Sequence, residues 1–272
     1  MGNKIVEWLS SLTTSSHEIT PDILVIDFTI VTACMVGKAD GWVLVDTGLE
    51  NSANFILQTA QKRFGTDSRP KAIILTHGHF DHVGSVIKLV EAWNVPVYIH
   101  QLEMPYVTGK KDYPLGDTTV DEGMVAKISP TFPHTSIDIS FHAADLPSDG
   151  SIPDMPAWKW IHTPGHTQGH ISLFREKDHV LIAGDAFSST KQESLWSVIT
   201  HREQISGPPK YLTTDWRAAE DSVKRLKDLK PSIAIPSHGK PMKGEDLTQH
   251  LEMLATHCDE IAKPEQGRYI DN

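Results

Sequence analysis

The chain of 272 residues has little cysteine and no long apolar run. Its two cysteines, Cys34 and Cys258, provide neither a disulfide framework nor a CxxC metal site. Because no run of about 18 apolar residues occurs, no transmembrane helix is expected. The segment Met1–Ser16 lacks a basic start followed by an apolar stretch, so no signal peptide is expected. These absences predict a soluble, cytoplasmic protein with no membrane partner.

The chain also has fewer basic than acidic residues. The chain has 25 Lys and Arg against 35 Asp and Glu, a net charge of −10 with histidine neutral. Because nucleic-acid binding needs a basic surface, no nucleic-acid partner is expected. The expected partner is a small-molecule substrate. A homodimer is left open, since dimers are common among soluble enzymes.

Hydrophobic periodicity predicts alternating strands and helices. The predicted strands are Ile23–Phe28, Ile30–Val36, Trp42–Val45, Ala72–Leu75, Val95–Ile99, Ala157–His162, Ile171–Arg175, His179–Ile182 and Ser232–Ile235. Pro96 places its strand at a sheet edge. Helices are predicted after Ser52, from about Val83, after Asp215 and along the stripe from Leu247 to Ile261.

The stretch 101–156 has no clear period and is rich in Pro, Gly, Asp and Thr. A long irregular connection within a compact domain is typical of a lid or binding loop. No repeat period and no low-complexity linker divides the chain. The sequence therefore predicts one domain over residues 1–272 with a lid-like insertion at about 101–156.

The sharpest feature is the run Thr76-His77-Gly78-His79-Phe80-Asp81-His82. Residues two apart on an extended segment face the same side, so His77 and His79 can reach one cation together. Asp81 and His82 come where the chain turns into a helix and point to a neighbouring position. Imidazole and carboxylate suit zinc, iron or manganese. A lone histidine is more often a surface or hydrogen-bonded core residue, but four such residues in six predict a metal site.

Three later residues are candidate partners for this run: His166, Asp185 and His238. Each follows a predicted apolar strand and stands beside Gly or Pro residues that bend the chain. Loops at strand ends converge on one rim of a sheet, where sites are usually found. We therefore expect these three side chains to join the histidine run.

These motifs, together with Val45-Asp46-Thr47-Gly48, resemble those of the metallo-β-lactamase fold superfamily. All occur in the family's order, between about Ile23 and Met242. The resemblance implies an α/β fold of four layers, an αββα sandwich in which two mixed β-sheets carry helices on their outer faces.

The resemblance also implies two divalent metal ions. The implied ligands of the first are His77, His79 and His166, those of the second are Asp81, His82 and His238, and Asp185 bridges the two. Asp46 would not bind metal but would hydrogen-bond a metal ligand or the loop that carries the ligands. The alternative is that Asp46 is only a turn residue before Gly48. His162 and His170 match no ligand position and are expected to pack or support the site. Zinc suits these ligands, and iron or manganese fit as well.

The implied reaction is hydrolysis by a hydroxide that bridges the two ions. Asp81 and Asp185 are the expected catalytic carboxylates, because they can accept hydrogen bonds from that hydroxide. An ester, lactone or thioester is the implied substrate. The ligand pattern is most similar to the acyl-homoserine lactonases and the hydroxyacylglutathione hydrolases.

The chain departs from both subfamilies. The lactonases usually place a tyrosine three residues after the bridging aspartate, where this chain has Ser188. The thioester hydrolases use a basic patch in a C-terminal helical segment, whereas the tail Leu247–Asn272 is short and its apolar stripe is typical of core packing. The acyl substrate therefore stays open.

Side chains in the irregular regions predict a substrate pocket. The candidates are Met104, Tyr106, Tyr113, Phe187, Ser188 and Trp196. Packing of the insertion against the domain is the alternative for each of them.

Two other functions compete with hydrolysis. An iron-dependent sulfur dioxygenase shares the implied fold, but it would need only one metal, and the complete second ligand set disfavours it. A non-enzymatic metal-binding module is disfavoured because structural zinc sites often rely on cysteine, and both cysteines lie outside the motifs.

Overall fold

The computed structural model describes residues 14–121, 123–190 and 205–270. The chain forms two compact units. The first consists of the described residues up to Tyr113 together with Pro133–Pro156, and the second consists of Pro114–Phe132 and the described residues from Ala157 onwards. Within these described residues, no helix is both long enough and apolar enough to cross a membrane. The cytoplasmic location and the single domain over 1–272 stay predictions.

The first unit contains a seven-stranded mixed sheet with the strands in chain order. Its strands are β1 (Ser15–Thr20), β2 (Ile23–Asp27), β3 (Thr32–Lys38), β4 (Gly41–Val45), β5 (Ile73–Ile74), β6 (Val97–Ile99) and β7 (Ala143–Asp145). Pairing is antiparallel from β1 to β4 and parallel from β4 to β7. The parallel strands are short and their carboxyl ends share one edge, so the loop that follows β5 is placed at that edge.

The helices of the first unit are α1 (Ala53–Phe64), α2 (Phe80–Val83), α3 (Val86–Trp93) and α4 (Met104–Val107). Apolar spacing predicts α1 and α3, whereas α4 lies in the stretch 101–156, where no helix is predicted. The helix predicted from about Val83 is therefore two helices separated by Gly84 and Ser85. In α3, Val86, Leu89, Val90 and Trp93 are buried, which gives the helix one apolar face. Asn94 ends α3 in the left-handed conformation that Asn tolerates.

The second unit contains a five-stranded mixed sheet in the order β12-β11-β10-β9-β8. Its strands are β8 (Lys159–His162), β9 (Ile171–Arg175), β10 (Val180–Gly184), β11 (Ile233–Pro236) and β12 (Met242–Lys243). Only the β10–β11 pair is parallel. The loops after β10 and β11 therefore leave the same edge of this sheet.

Helices of the second unit are α5 (Met124–Ile128), α6 (Trp216–Asp228), α7 (Gly244–Thr256) and α8 (Cys258–Ile261), with a 3-10 turn at Ser129–Thr131. Asp215 caps α6, because its carboxylate accepts a hydrogen bond of 2.9 Å from the Ala218 amide. The predicted stripe of α7 and α8 packs on the sheet: Leu247, Leu251, Leu254 and Cys258 are buried in one hydrophobic cluster. The prediction of two mixed sheets with helices is confirmed.

Several details of the two sheets differ from the sequence predictions. The strand after Pro96 is not at an edge, because β7 pairs with β6 on the side away from β5. Pro96 causes no conflict there, since it precedes β6 and only its carbonyl is used, accepting from the Ile73 amide at 3.0 Å. Strands β1, β7 and β12 were not predicted. Strand β1 is exposed or half-buried and is polar except for Ile19, and β7 and β12 have only three and two residues, so none of them gives a clear hydrophobic signal.

Candidate functional site

In the first unit, the predicted metal-binding run follows the buried strand β5. His77, His79, Asp81 and His82 are all buried, although each is polar. The chain leaves β5 before Thr76 and enters α2 at Phe80. His77 and His79 therefore lie at the sheet edge, and Asp81 and His82 lie in the single turn of α2. Burial of four ionisable groups is costly unless each is hydrogen-bonded or binds an ion.

Asp46 supports this run from the end of β4. Its backbone has φ +57°, the left-handed region that Asp tolerates better than most residues. Its carboxylate accepts from the Thr76 amide and the Thr76 hydroxyl, both at 2.8 Å, and lies 2.9 Å from His82 Nδ1. The His82 ring therefore donates through Nδ1, and its Nε2 is left with the lone pair that a metal ligand needs.

Thr76 orients His77 in the same way. Its hydroxyl donates to Asp46, so it accepts from His77 Nδ1, which lies 3.1 Å away. This leaves a lone pair on His77 Nε2, which lies 3.0 Å from His79 Nδ1. Two ring nitrogens of neighbouring ligand-type residues thus face one another, as binding to a shared cation requires.

Gly78, between the two histidines, is held by a buried polar pair. Its amide donates to Glu103 Oε2 at 3.1 Å and to the Tyr113 hydroxyl oxygen at 3.0 Å. The Tyr113 hydroxyl donates in turn to the same Glu103 oxygen. Burial, followed by the adjacent Glu103 carboxylate, raises the pKa of Tyr113 well above its ordinary value, so the phenol stays protonated and donates.

In the second unit, Asp185 follows β10 at a tightly packed turn. Gly184 has φ +60°, and a Cβ there would lie 2.5 Å from His170 Nε2. The Asp185 amide donates to that nitrogen at 2.8 Å, so His170 carries its proton on Nδ1, 3.0 Å from the Thr163 carbonyl oxygen. His170 therefore positions the Asp185 backbone.

His166 and His238 both face the Asp185 carboxylate. Asp185 Oδ2 lies 3.3 Å from His166 Nε2 and 3.0 Å from His238 Nε2. The Thr213 hydroxyl donates to the Pro209 carbonyl, so it accepts from His166 Nδ1 at 3.2 Å. His166 Nε2 then presents a lone pair to a carboxylate oxygen, an arrangement that is favourable only with a proton or a cation between them.

The predicted pocket residues fall into different surroundings. In the first unit, Tyr113 lines a cavity beside Gly78 and stacks on the buried Tyr106, with ring centroids 3.9 Å apart. Met104 is half-buried at the start of α4 and is not among the residues that line this cavity.

In the second unit, Phe187 is fully buried in the hydrophobic cluster beneath the sheet. The Ser188 hydroxyl is also buried and donates to the Thr190 carbonyl at 2.7 Å. Core packing and a local hydrogen bond account for these two positions. The last predicted pocket residue, Trp196, lies outside the described residues.

Supporting residues that the sequence reasoning missed are Thr76, Glu103 and Thr213. Thr76 stands directly before His77, so its position next to the histidine run could have indicated a supporting role. Glu103 follows the run by more than twenty residues and Thr213 follows His166 by 47, so only the tertiary structure identifies these two as partners.

The model of the metallo-β-lactamase superfamily matches residues 26–238. The chain therefore belongs to the metallo-β-lactamase superfamily. The resemblance stated from the motifs is confirmed.

Relatives with similar sequences carry the names of hydrolases. "Probable metallo-hydrolase YflN" of Bacillus subtilis is 49% identical over 220 residues, which is 81% of this chain and 83% of the relative. "Probable metallo-hydrolase YybB" of the same organism is 30% identical over 205 residues, 75% of this chain and 79% of the relative. The names of these relatives and the family match support the assignment of the chain to the metal-dependent hydrolases.

Solved structures show the same fold. A di-iron-bound form of TTHA1623 matches with a TM-score of 0.55 and 24% identity, covering 89% of this chain and 96% of that one. The Rm3 metallo-β-lactamase matches with a TM-score of 0.61 and 19% identity, covering 94% and 88%. At such identities the likeness concerns the fold alone.

Proposed function

We propose that the protein is a dinuclear metal-dependent hydrolase that cleaves an ester, lactone or thioester bond of a small molecule. The single observation that carries the proposal is the position of a protein oxygen beside Nδ1 of three ligand-type histidines. Nδ1 of His77, His82 and His166 lies 3.1, 2.9 and 3.2 Å from such an oxygen, and a hydrogen bond donated there places the lone pair on Nε2, as in a metal ligand.

The residues fit a pair of metal ions. Every trio of ligand-type side chains that could hold a metal ion, among the residues that the structure describes, is drawn from the seven predicted residues. The set consists of imidazoles and carboxylates, which suit zinc, iron and manganese. The proposed ligands are His77, His79, Asp81, His82, His166, Asp185 and His238.

Two divalent ions supply, when bound, an activated water at neutral pH and polarisation of the scissile carbonyl. The chain's own groups do the rest. Asp81 and Asp185 accept hydrogen bonds from the attacking water and orient its lone pair towards the carbonyl carbon. Asp46 and Thr213 keep the ligand rings in one tautomer, and Glu103 and Tyr113 hold the loop of Gly78 in place.

No serine or cysteine is needed as the nucleophile. Ser188 is committed to the Thr190 carbonyl, and the two cysteines are buried. Burial raises the pKa of the Cys34 thiol, and Asp46 raises it further, so this thiol does not act as a thiolate. The proposed nucleophile is therefore water activated by metal ions.

The test is a metal count combined with a substrate panel. Purified protein should carry about two metal equivalents, and His77→Ala should lose most of the metal together with hydrolysis. The panel comprises lactones, thioesters and aryl esters, each assayed on protein loaded with zinc, manganese or iron. Iron is included because the neighbour TTHA1623 has a di-iron-bound form. Equal rates for metal-free and metal-loaded protein would refute the proposal.

A further inference from the structure

A cavity of 370 Å³ lies wholly within the first unit, beside the loop of His77 and His79. Its volume is within the range of small-molecule sites, roughly 300–1,000 Å³. The residues that line it come from the loops after β4 and β5, from α2 and α3, and from the insertion, and include Leu49, Gly78, Val83, Ile87, Tyr113 and Ile137.

The interior of this cavity is apolar and its rim is polar. Leu49, Val83 and Tyr113 line it and are themselves buried. The exposed Glu50 and Lys88 stand at the rim, where the Lys88 ammonium donates to the Glu50 carbonyl at 3.0 Å. The charges of the Glu50 carboxylate and the Lys88 ammonium are opposite, and the half-buried His134 is another titratable side chain that lines the cavity.

The inner wall of the cavity is continuous with the metal-binding loop. Gly78 and Phe80, which flank His79, both line it. The Tyr113 ring lies 4.4 Å from the His79 ring, centroid to centroid. A Cβ at Gly78 would lie 2.7 Å from the Tyr113 hydroxyl oxygen, so glycine allows the ring to close against the loop.

The cavity wall is also preorganised. Tyr113 is stacked on Tyr106 at an interplanar angle of 7°, and its hydroxyl is held by Glu103. A side chain fixed on both its face and its polar end loses little further freedom when a ligand binds, which favours affinity.

We propose that this cavity binds the acyl chain of the substrate and selects uncharged, apolar acyl groups. The inference rests on the proposed hydrolysis for its reaction, and on the cavity alone for its ligand. A chain lying against Leu49, Val83 and Tyr113 places its carbonyl end at Gly78, beside the proposed ligands His77 and His79. Acyl groups that carry a carboxylate are disfavoured, because the charge would have to leave water for the apolar interior formed by Leu49 and Val83.

The first test measures kcat/KM for p-nitrophenyl esters from acetyl to octanoyl on the metal-loaded protein. Each methylene buried in the cavity should raise kcat/KM by about threefold to fourfold. Ile87→Trp and Ile137→Trp fill the cavity from different walls and should flatten this chain-length dependence. The matched control is Leu102→Trp, since Leu102 has 44% exposure, close to the 43% of Ile87, and does not line the cavity. An unchanged chain-length dependence in both filling variants would overturn the inference.

The second test separates ligand binding from catalysis. Isothermal titration calorimetry with 2-nonanone, a ketone that cannot be hydrolysed, should show saturable binding that both filling variants weaken at least tenfold and the control leaves intact. If the protein hydrolyses esters but shows neither binding nor chain-length selection, the cavity assignment is wrong and the hydrolase proposal stands. If it binds the ketone in this pattern but hydrolyses none of the esters, lactones and thioesters of the panel, the cavity assignment stands and the hydrolase proposal is wrong.

Discussion

The carboxylate of Asp46 lies 2.9 Å from Nδ1 of His82, a residue 36 positions further along the chain. The same carboxylate binds the amide and hydroxyl of Thr76. Both side chains are buried, so the contact is shielded from water. One outer carboxylate therefore sets the ring orientation of one proposed ligand directly and that of His77 through Thr76.

Asp46→Asn should weaken metal binding by about 10- to 100-fold. The amide nitrogen would present N–H groups to the Thr76 hydroxyl and to His82 Nδ1, which favours the tautomer whose Nε2 carries the proton. Competition with a chromogenic chelator measures the affinity. The control is Asp40→Asn, which removes one charge from an exposed turn of the same unit. Equal affinities for the two variants would contradict the role given to Asp46.

Glu103→Gln should lower the free energy of unfolding by about 1–2 kcal/mol, because a neutral amide oxygen accepts the hydrogen bonds of the Gly78 amide and the Tyr113 hydroxyl more weakly than a carboxylate does. Urea denaturation of metal-free protein measures the change without any contribution from metal binding. Glu91→Gln, at an exposed position of α3, is the control. A midpoint for Glu103→Gln equal to that of wild type would show that the contact is not stabilising.

Both cysteines should be unreactive in the folded protein. Cys34 and Cys258 are buried. Burial raises the pKa of Cys258 to about 11 and also raises that of Cys34, so neither thiol ionises appreciably at pH 8. Titration with 5,5′-dithiobis(2-nitrobenzoate) should find no fast-reacting thiol in native protein and two in guanidinium chloride. Cys258→Ala should reduce the count in denaturant by one, and a rapidly reacting thiol in native wild type would be the contrary result.

Asp215→Ala should destabilise the protein by about 1 kcal/mol, because the Ala218 amide at the start of α6 loses its acceptor. The midpoint of urea unfolding measures this loss. Asp221→Ala, an exposed position further along the same helix, removes the same charge and should change stability by less than about 0.5 kcal/mol. Similar shifts in both variants would assign the effect to charge rather than to capping.

The sequence by itself determined the family, the mixed sheets and most strands and helices. Apolar spacing reports which face of a local segment is buried, and the ligand-type residues stand together in short motifs after those strands. Strand β10, for example, is a run of small and branched apolar residues with Gly184-Asp185 at its end. Such signals are local, so they can be read along the chain.

Only the tertiary structure decided which distant groups meet. The position of β6 inside its sheet depends on β7, more than forty residues later. The contacts of Glu103 with Gly78 and of Thr213 with His166, and the cavity lined by Tyr113, join segments that no spacing relates. A hydrogen bond between distant residues depends on how whole elements pack, and the pattern of a single segment carries no information about that packing.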